Sequence, residues 1–463
     1  MTNKLNKITS GDWVLPVMVW LMRIVVGGVF VFSGFAKAID PWGSFYKFNE
    51  YLLTLGWDGL LGLSLFAAFA VPIIETVLGL MVLIGAYRRG APLLLLLMML
   101  VMLPLTLWLA VTNAVPDCGC FGDALILSNW GTFGKNVALT LGLIFLLIFN
   151  KRVKGLYGPA VQWIAAALTV AVTLGICLYG YFTQPLIDFR PYRVGTQLVS
   201  AQSTGSDDQD FVFIYSKDGV EQEFMIDSLP EEEDGWTYVD RRPLPMQPDT
   251  LVTDRPKHHL AVMDDAGDVS DEVLSSGRRQ LLLLFPDIQD VNLAHTFAIN
   301  ELVDYARTQG AVVYGITSAS ERQREQWSDI SMAEYPLLLA DDSDIKMMAR
   351  GNPAVMSIND GVVEWKRTLG SIDLDRLRDP SVTMASLSND FQPWSILRRL
   401  LGAFMMLMLA LLIFNRTHLL LQYIYARLRR SSENSDTSEK SEPSDSLENL
   451  QIQTDIDQSE END

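Results

Sequence analysis

Cysteine and histidine are scarce: three and four residues in a chain of 463. So thin a cysteine set excludes a disulfide-stapled scaffold. Four histidines, two of them the adjacent His258 and His259, argue against a resident metal centre, which needs more convergent ligands. Positive charge is also short, with 36 Lys and Arg against 55 Asp and Glu and a net charge of −19. Nucleic acid is therefore not an expected partner. More than half of that imbalance lies in Ser431 to Asp463, which holds eleven acidic residues against Lys440 alone and has no aromatic residue. Such a tail cannot bury enough apolar surface to offset ordering, and the expectation is a disordered acidic tail over 431–463. A cleavable signal is missing too: the first apolar run is too long for a signal h-region and lacks a small-residue cleavage site, so it is expected to act as a retained anchor.

Long apolar runs are what the chain has in excess. Val14 to Phe35, Leu60 to Ile84, Ala91 to Val111, Phe133 to Phe149, Ala160 to Tyr181 and Leu400 to Phe414 each reach or approach the roughly twenty residues a bilayer core demands. Six spans are predicted, the last flanked by Arg398 and Arg399. Short-loop Lys and Arg stay cytoplasmic. With a cytoplasmic N-terminus, Lys4 and Lys7, Arg88 and Arg89, Lys151, Arg152 and Lys154, then Arg416, Arg427, Arg429 and Arg430 all fall inside; Lys37, Lys47 and the Arg398/Arg399 pair dissent. This orientation puts both termini in the cytoplasm. The loop around Cys118 and the segment from Thr183 to Pro393 then lie outside, in the periplasm of a bacterial inner-membrane protein.

The outer segment divides in two. From 182 to 275 the composition predicts a small β-rich module and linker, with strands at Phe211 to Tyr215, Glu223 to Ile226 and Trp236 to Val239, a turn at Lys217-Asp218-Gly219, and Pro243, Pro245, Pro248 and Pro256 as a boundary. From 276 to 385 the pattern is that of an α/β layer. Leu281 to Phe285 and Ala311 to Ile316 read as buried strands, Val291 to Gln309 and Glu321 to Met332 as helices, and Pro353 to Ile358 with Val362 to Lys366 as a hairpin about Asn359-Asp360-Gly361. The order β-α-β-α-β-β, with a proline opening the penultimate strand, resembles a thioredoxin-like domain. That resemblance implies a cis bond before Pro353. It also implies a Cys-x-x-Cys after the first strand, where this chain has Pro286-Asp287-Ile288-Gln289-Asp290. Dithiol chemistry in this domain is therefore excluded, leaving a binding or docking module on that frame.

Two of the three cysteines sit together in Asp117-Cys118-Gly119-Cys120-Phe121-Gly122-Asp123, between the third and fourth spans, while Cys177 reads as a small apolar core residue. On an oxidising face the pair tends to a disulfide. A bond between residues two apart closes a strained ring, which raises its reduction potential, and staples almost nothing. A redox-active disulfide and an inert structural turn both fit. Lys37 is the nearby cation that would favour a thiolate, and Asp117 and Asp123 oppose it. The first-span residues Arg23 to Gly28, Phe30, Ser33-Gly34, Lys37 and Pro41 are similar to the opening motif of the DoxX family. The Cys-Gly-Cys-Phe-Gly loop followed by Trp130, Lys135 and Asn136 resembles the related MauE family of methylamine utilisation. The resemblance covers about the first 180 residues and implies disulfide handling during periplasmic protein maturation.

Charges inside the spans are costly unless paired. Arg23 and Glu75 lie at comparable depths in antiparallel spans and are expected to form a pair, either structural or part of a proton or quinone relay. The chain is thus read as a membrane helical bundle of about six spans (1–181 and 394–430) carrying a β-rich module and a thioredoxin-like domain. Its expected partners are the lipid bilayer and a periplasmic protein client, with Cys118 and Cys120 as exchanging residues and a quinone as candidate cofactor. The rival reading is a non-enzymatic scaffold with a structural cysteine loop.

Overall fold

The computed structural model describes residues 13–439 except 116, 154, 201–210, 218–219, 225–236, 244–256, 275–276, 380 and 391. The expected turn at 218–219, parts of the strands at 225–226 and 236, the prolines at 245, 248 and 256, Lys4, Lys7 and Lys154, and the tail beyond 439 lie outside the described residues. Among the described residues, six helices are long and apolar enough to cross a membrane. They are α1 (Val14–Ile39), α3 (Ser64–Ile84), α4 (Gly90–Thr112), α5 (Asn129–Ile148), α6 (Gln162–Phe182) and α12 (Pro393–Glu439). Between the first two spans runs α2 (Pro41–Thr54), absent from the sequence reading because its apolar residues are interleaved with polar ones. Its start is written locally: Asp40 caps it by accepting from the Gly43 N–H, and Pro41 opens it.

Helices α1 and α3 pack antiparallel through small residues, which let backbones approach where no hydrophobic drive exists in lipid. A Cβ on Gly27 would lie 2.8 Å from the Gly79 carbonyl oxygen, and one on Gly34 would lie 2.7 Å from that of Pro72. This register sets which polar side chains meet across the interface. At the other end of the bundle Tyr157 donates to the Met408 carbonyl at 2.9 Å, tying α12 to the rest. That last helix continues to Glu439, past the expected onset of disorder at Ser431. Once nucleated, a helix extends at little cost per residue, and no Gly or Pro interrupts 431–439.

The soluble insert holds β1 (Gln197–Ser200), β2 (Phe211–Lys217), β3 (Val220–Phe224), β4 (Thr237–Pro243), β5 (Lys257–Leu260), α7 (Ser270–Leu274), β6 (Arg279–Phe285), α8 (Thr296–Thr308), β7 (Val312–Thr317), α9 (Glu321–Ser331), β8 (Leu337–Leu339), α10 (Asp342–Met348), β9 (Ala354–Asn359), β10 (Val362–Thr368) and α11 (Leu374–Leu377). Strands β3-β2-β4 form a separate small sheet, and the others form one sheet in the order β5-β1-β10-β9-β6-β7-β8. Within it β6, β7 and β8 are parallel, while β9 runs antiparallel to β6 and β10 to β9. The four central strands have the thioredoxin-like arrangement. Successive residues of β6 alternate between two cores: Leu281, Leu283 and Phe285 face one, Leu282 and Leu284 the other. A strand buried on both faces reads as a continuous apolar run. Asp360 and Gly361, with φ of 51° and 72°, make the tight turn that the Asp-Gly pair favours.

The division at residue 276 does not follow the sheet. Strands β1 and β5 precede it, yet β1 pairs with β10 and β5 extends the same edge. Both are four residues long and find their partners across distant sequence, so local composition carries no sign of the pairing.

Candidate functional site

The cysteine loop begins where α4 ends, with Asn113 in the left-handed region as its cap, and closes where Ser128 caps α5 by accepting from the Gly131 N–H. Inside it Asp117 accepts from the Gly119 N–H at 2.7 Å, and the Cys120 N–H points to the Cys118 sulfur at 3.2 Å. Gly119 has a φ of +60°, which a side chain resists, and its bare face is covered by Lys47, whose Cγ would be 2.8 Å from a Cβ there. The sulfurs of Cys118 and Cys120 are bonded to each other, and both residues are partly exposed. Cys177 stays free and buried on α6, packed among Ala38, Ile39 and Leu186.

Both cysteine carbonyls are pinned by neighbouring helices. Tyr51 of α2 donates to the Cys118 carbonyl at 2.7 Å, and Ser33 of α1 donates to that of Cys120 at 2.6 Å. Burial, helped by Asp117 and Glu50, pushes the Tyr51 phenol up, so it remains a donor at neutral pH. Lys47 of α2 reaches Asp117 at 3.3 Å.

Beneath the loop Lys37 pairs with Glu75 at 2.7 Å, their side chains 10% and 5% exposed. Glu75 therefore meets Lys37 and not Arg23, which corrects the expected Arg23/Glu75 pair. Arg23 instead donates to the carbonyls of Val82 and Leu83 at 3.2 and 2.9 Å. Equal depth counted from helix ends misleads here. The register set by Gly27 and Gly34 brings Arg23 level with Leu83, about two turns from Glu75. Lys37 also donates to Ser33 at 2.9 Å, and Ser33 lies 2.8 Å from Glu75. The Ser33 hydroxyl has one hydrogen and faces two acceptors, the Glu75 carboxylate and the Cys120 carbonyl. It serves one at a time. Lys37 is thus committed to a carboxylate, and Lys47 is a cation that lies on the cysteine loop beside the pair.

Asp123 turns the other way, toward the insert. Arg350, buried two residues past the end of α10, reaches Asp40 at 2.7 Å and Asp123 at 3.2 Å. Burial would raise the Asp40 carboxyl, but Arg350, Arg190, and the Gly43 N–H hold it below the usual range. Asp123 is pushed up by burial and by Asp40, with Arg350 opposing. Gln184 ties the same place down by donating to the Arg350 carbonyl at 2.6 Å. Two residues on, the Asn352–Pro353 peptide is cis, and Asn352 donates to the Asp287 carbonyl. The position that lacks cysteine, Asp287 to Asp290, thus adjoins Pro353, and the loop leading to both is clamped on the membrane bundle.

These helices and this loop coincide with a family match. Residues 15–149 match the model described as methylamine utilisation protein MauE. Over this stretch the chain is similar to the MauE family. The match takes in Ser33, Lys37, Glu75, the cysteine pair and Lys135, and leaves the insert outside. Residues 210–244, which include the small sheet β3-β2-β4, match a domain of unknown function, DUF8463. No curated protein matches the sequence significantly. Among solved structures, the bacterioferritin comigratory protein of Xanthomonas campestris, described for alkyl peroxide reduction activity, aligns with 31% of this chain and 90% of its own. The identity is 12% and the TM-score 0.18.

Lys47, Tyr51 and Arg350 are site residues that sequence reasoning did not assign, and Ser33 and Lys135 entered it only through the family motifs. Lys47 appeared only as a dissenting positive charge on the outer side, and that dissent was the available signal. A Lys kept against the charge bias has a local anion to meet, here Asp117.

Proposed function

We propose that this protein exchanges disulfides with a protein client at the outer face of the bacterial inner membrane, through Cys118 and Cys120. The observation that carries the reading is the setting of the pair. Its ring spans three residues, so closing it removes almost no chain entropy, and stapling does not account for it. Tyr51 holds the Cys118 carbonyl and Ser33 lies within reach of that of Cys120, which supports a backbone that keeps its place when the ring opens. A Lys, a carboxylate and a hydroxyl stand directly behind Cys120 to handle protons. In the forward step a client thiolate attacks one sulfur, forming a mixed disulfide and releasing the other as a thiolate. The client's second thiol then displaces the first sulfur, leaving the client oxidised and Cys118/Cys120 reduced. Methylamine is not carried over, since the match reaches the scaffold and no substrate-determining residue.

In cells, alkylation mass-shift assays are expected to find the pair oxidised, reducible by mild dithiothreitol, and oxidised again once the reductant is removed. Cys120→Ser should trap a mixed disulfide with the client, and either Ser variant should lose function at unchanged abundance. A second reading, a non-enzymatic scaffold, draws on the Arg350 clamp, which ties down the edge beside Pro353. Full complementation by the double Ser variant would decide for the scaffold.

A further inference from the structure

Behind the cysteine loop lies a cavity of about 290 Å³, near the lower end of the roughly 300–1,000 Å³ that small-molecule sites occupy. Its walls are largely apolar, with Phe48 and Leu52 from α2, Met98 and Met102 from α4, and Leu139 from α5. Its rim includes Trp57, Leu60 and Leu63, all exposed, on the turn that opens the second span. Such a mouth admits a hydrophobic molecule from the bilayer and excludes a protein. Its polar lining includes Cys118, Cys120, Ser33, Glu75, Ser64 and Lys135.

Two lining groups have hydrogen-bonding capacity to spare. The three N–H groups of Lys37 are taken by Ser33 and Glu75. Lys135 differs: among the described residues its ammonium has no ion pair or hydrogen bond, only the Phe121 ring 4.2 Å away. The Ser64 hydroxyl, 1% exposed, also lacks a partner. A buried donor without an acceptor, such as Ser64, is costly, and both it and the partly buried Lys135 have room for an oxygen from a ligand. A disulfide, spare donors and apolar walls with a membrane-facing mouth together define a two-electron redox site for a lipid-soluble carbonyl compound.

We propose that this cavity binds the ring of a membrane quinone, with Lys135 donating to a carbonyl oxygen, and that the quinone reoxidises Cys118 and Cys120. The proposal rests on the exchange reading above and supplies its electron acceptor. After a client has been oxidised, the reduced pair gives two electrons to the quinone. The sulfur–sulfur bond re-forms, and the two thiol protons end on the quinone oxygens as hydroquinone. Glu75, reached through Ser33, is the carboxylate placed to pass a proton.

The test uses the full chain in lipid nanodiscs, reduced with dithiothreitol, desalted and mixed anaerobically with decylubiquinone. The expected result is one quinone reduced per disulfide re-formed, read by absorbance and by alkylation. An azidoquinone should label cavity peptides from α2 or α4, in competition with decylubiquinone. Met102→Trp, which fills the cavity, should lose both the labelling and the quinone-driven reoxidation. Because the labelling is read on the unaltered protein, a misfolded variant does not decide the matter. If oxidised dithiothreitol restores the disulfide and quinone does not, or if the label falls elsewhere, the quinone proposal is overturned and the exchange reading survives. A pair that dithiothreitol cannot reduce overturns both.

Discussion

Glu75 carries a carboxylate at 5% exposure, and the charge is tolerable there because Lys37 spans both of its oxygens. Lys37→Met would strand that charge, and removing one member of a buried pair costs about 3–5 kcal/mol. A lowered melting temperature in detergent is the expected readout. The double variant Lys37→Met/Glu75→Leu should recover most of the loss, because an apolar pair of similar volume is often neutral. No recovery would show that the carboxylate has a partner beyond Lys37 and Ser33. Arg350 and Asp40 make a second buried pair, with a pH dependence whose sign follows from the depressed Asp40 carboxyl. A carboxyl with a lowered folded pKa stabilises fully above its unfolded value, about 3.9, and that contribution is lost as pH falls through the folded value. Asp123, pushed up, works in the opposite sense and is half-exposed, so Asp40 dominates. Limited proteolysis should therefore find the insert held near neutral pH and released in acid below about 4, with Arg350→Ala released at every pH. An insert held equally well across that range would remove Asp40 as its anchor.

At the scale of elements, the α1/α3 interface decides which charges meet, and it rests on glycines. A Cβ on Gly34 would stand 2.6 Å from the Thr76 nitrogen and 2.7 Å from the Pro72 carbonyl oxygen, both backbone atoms that cannot swing away. Gly34→Val should push the helices apart and loosen the Lys37/Glu75/Ser33 group beneath Cys120. Faster alkylation of the cysteines after reduction, with a lower melting temperature, is the expected outcome; unchanged rates would mean that the loop does not depend on this interface. The same interface marks where sequence reading stops. The spans were legible because bilayer thickness imposes a length on every apolar run. The run Leu281 to Phe285 was legible because burial on both faces leaves no polar position, and the Asp360-Gly361 turn because its backbone favours those residues. Register was not legible, since depth counted from helix ends misses the offset that Gly27 and Gly34 create, so Arg23 was matched to the wrong partner. Helix α2 was hidden by its mixed composition, although Asp40-Pro41 wrote its start. Arg350 meets Asp40 across 310 residues, and no local pattern announces such a contact.

At the scale of the whole molecule, the contact between Arg350 and Asp123 puts the insert and the cysteine loop on one side of the bundle. That is what two further spans, α5 and α6, between the loop and the insert require. The contact relates the two regions to each other, and the sense is an inference from the charge bias: with Arg88, Arg89, Lys151 and Arg152 we propose the opposite side as the cytoplasmic one. An odd number of spans, the single helix α12, then separates the insert from the acidic tail. Protease added to intact spheroplasts is accordingly expected to remove the segment from about Tyr192 to Asp390 and to spare an epitope placed after Asp463. Antibodies to the two ends of the chain would read this directly, with detergent-lysed cells as the control in which both regions are cut. The opposite pattern, an intact insert and a digested tail, would place Cys118 and Cys120 in a reducing compartment, where a dithiol stays reduced and has no disulfide to pass on. The exchange reading would then fall at its first premise, whatever the geometry around the loop.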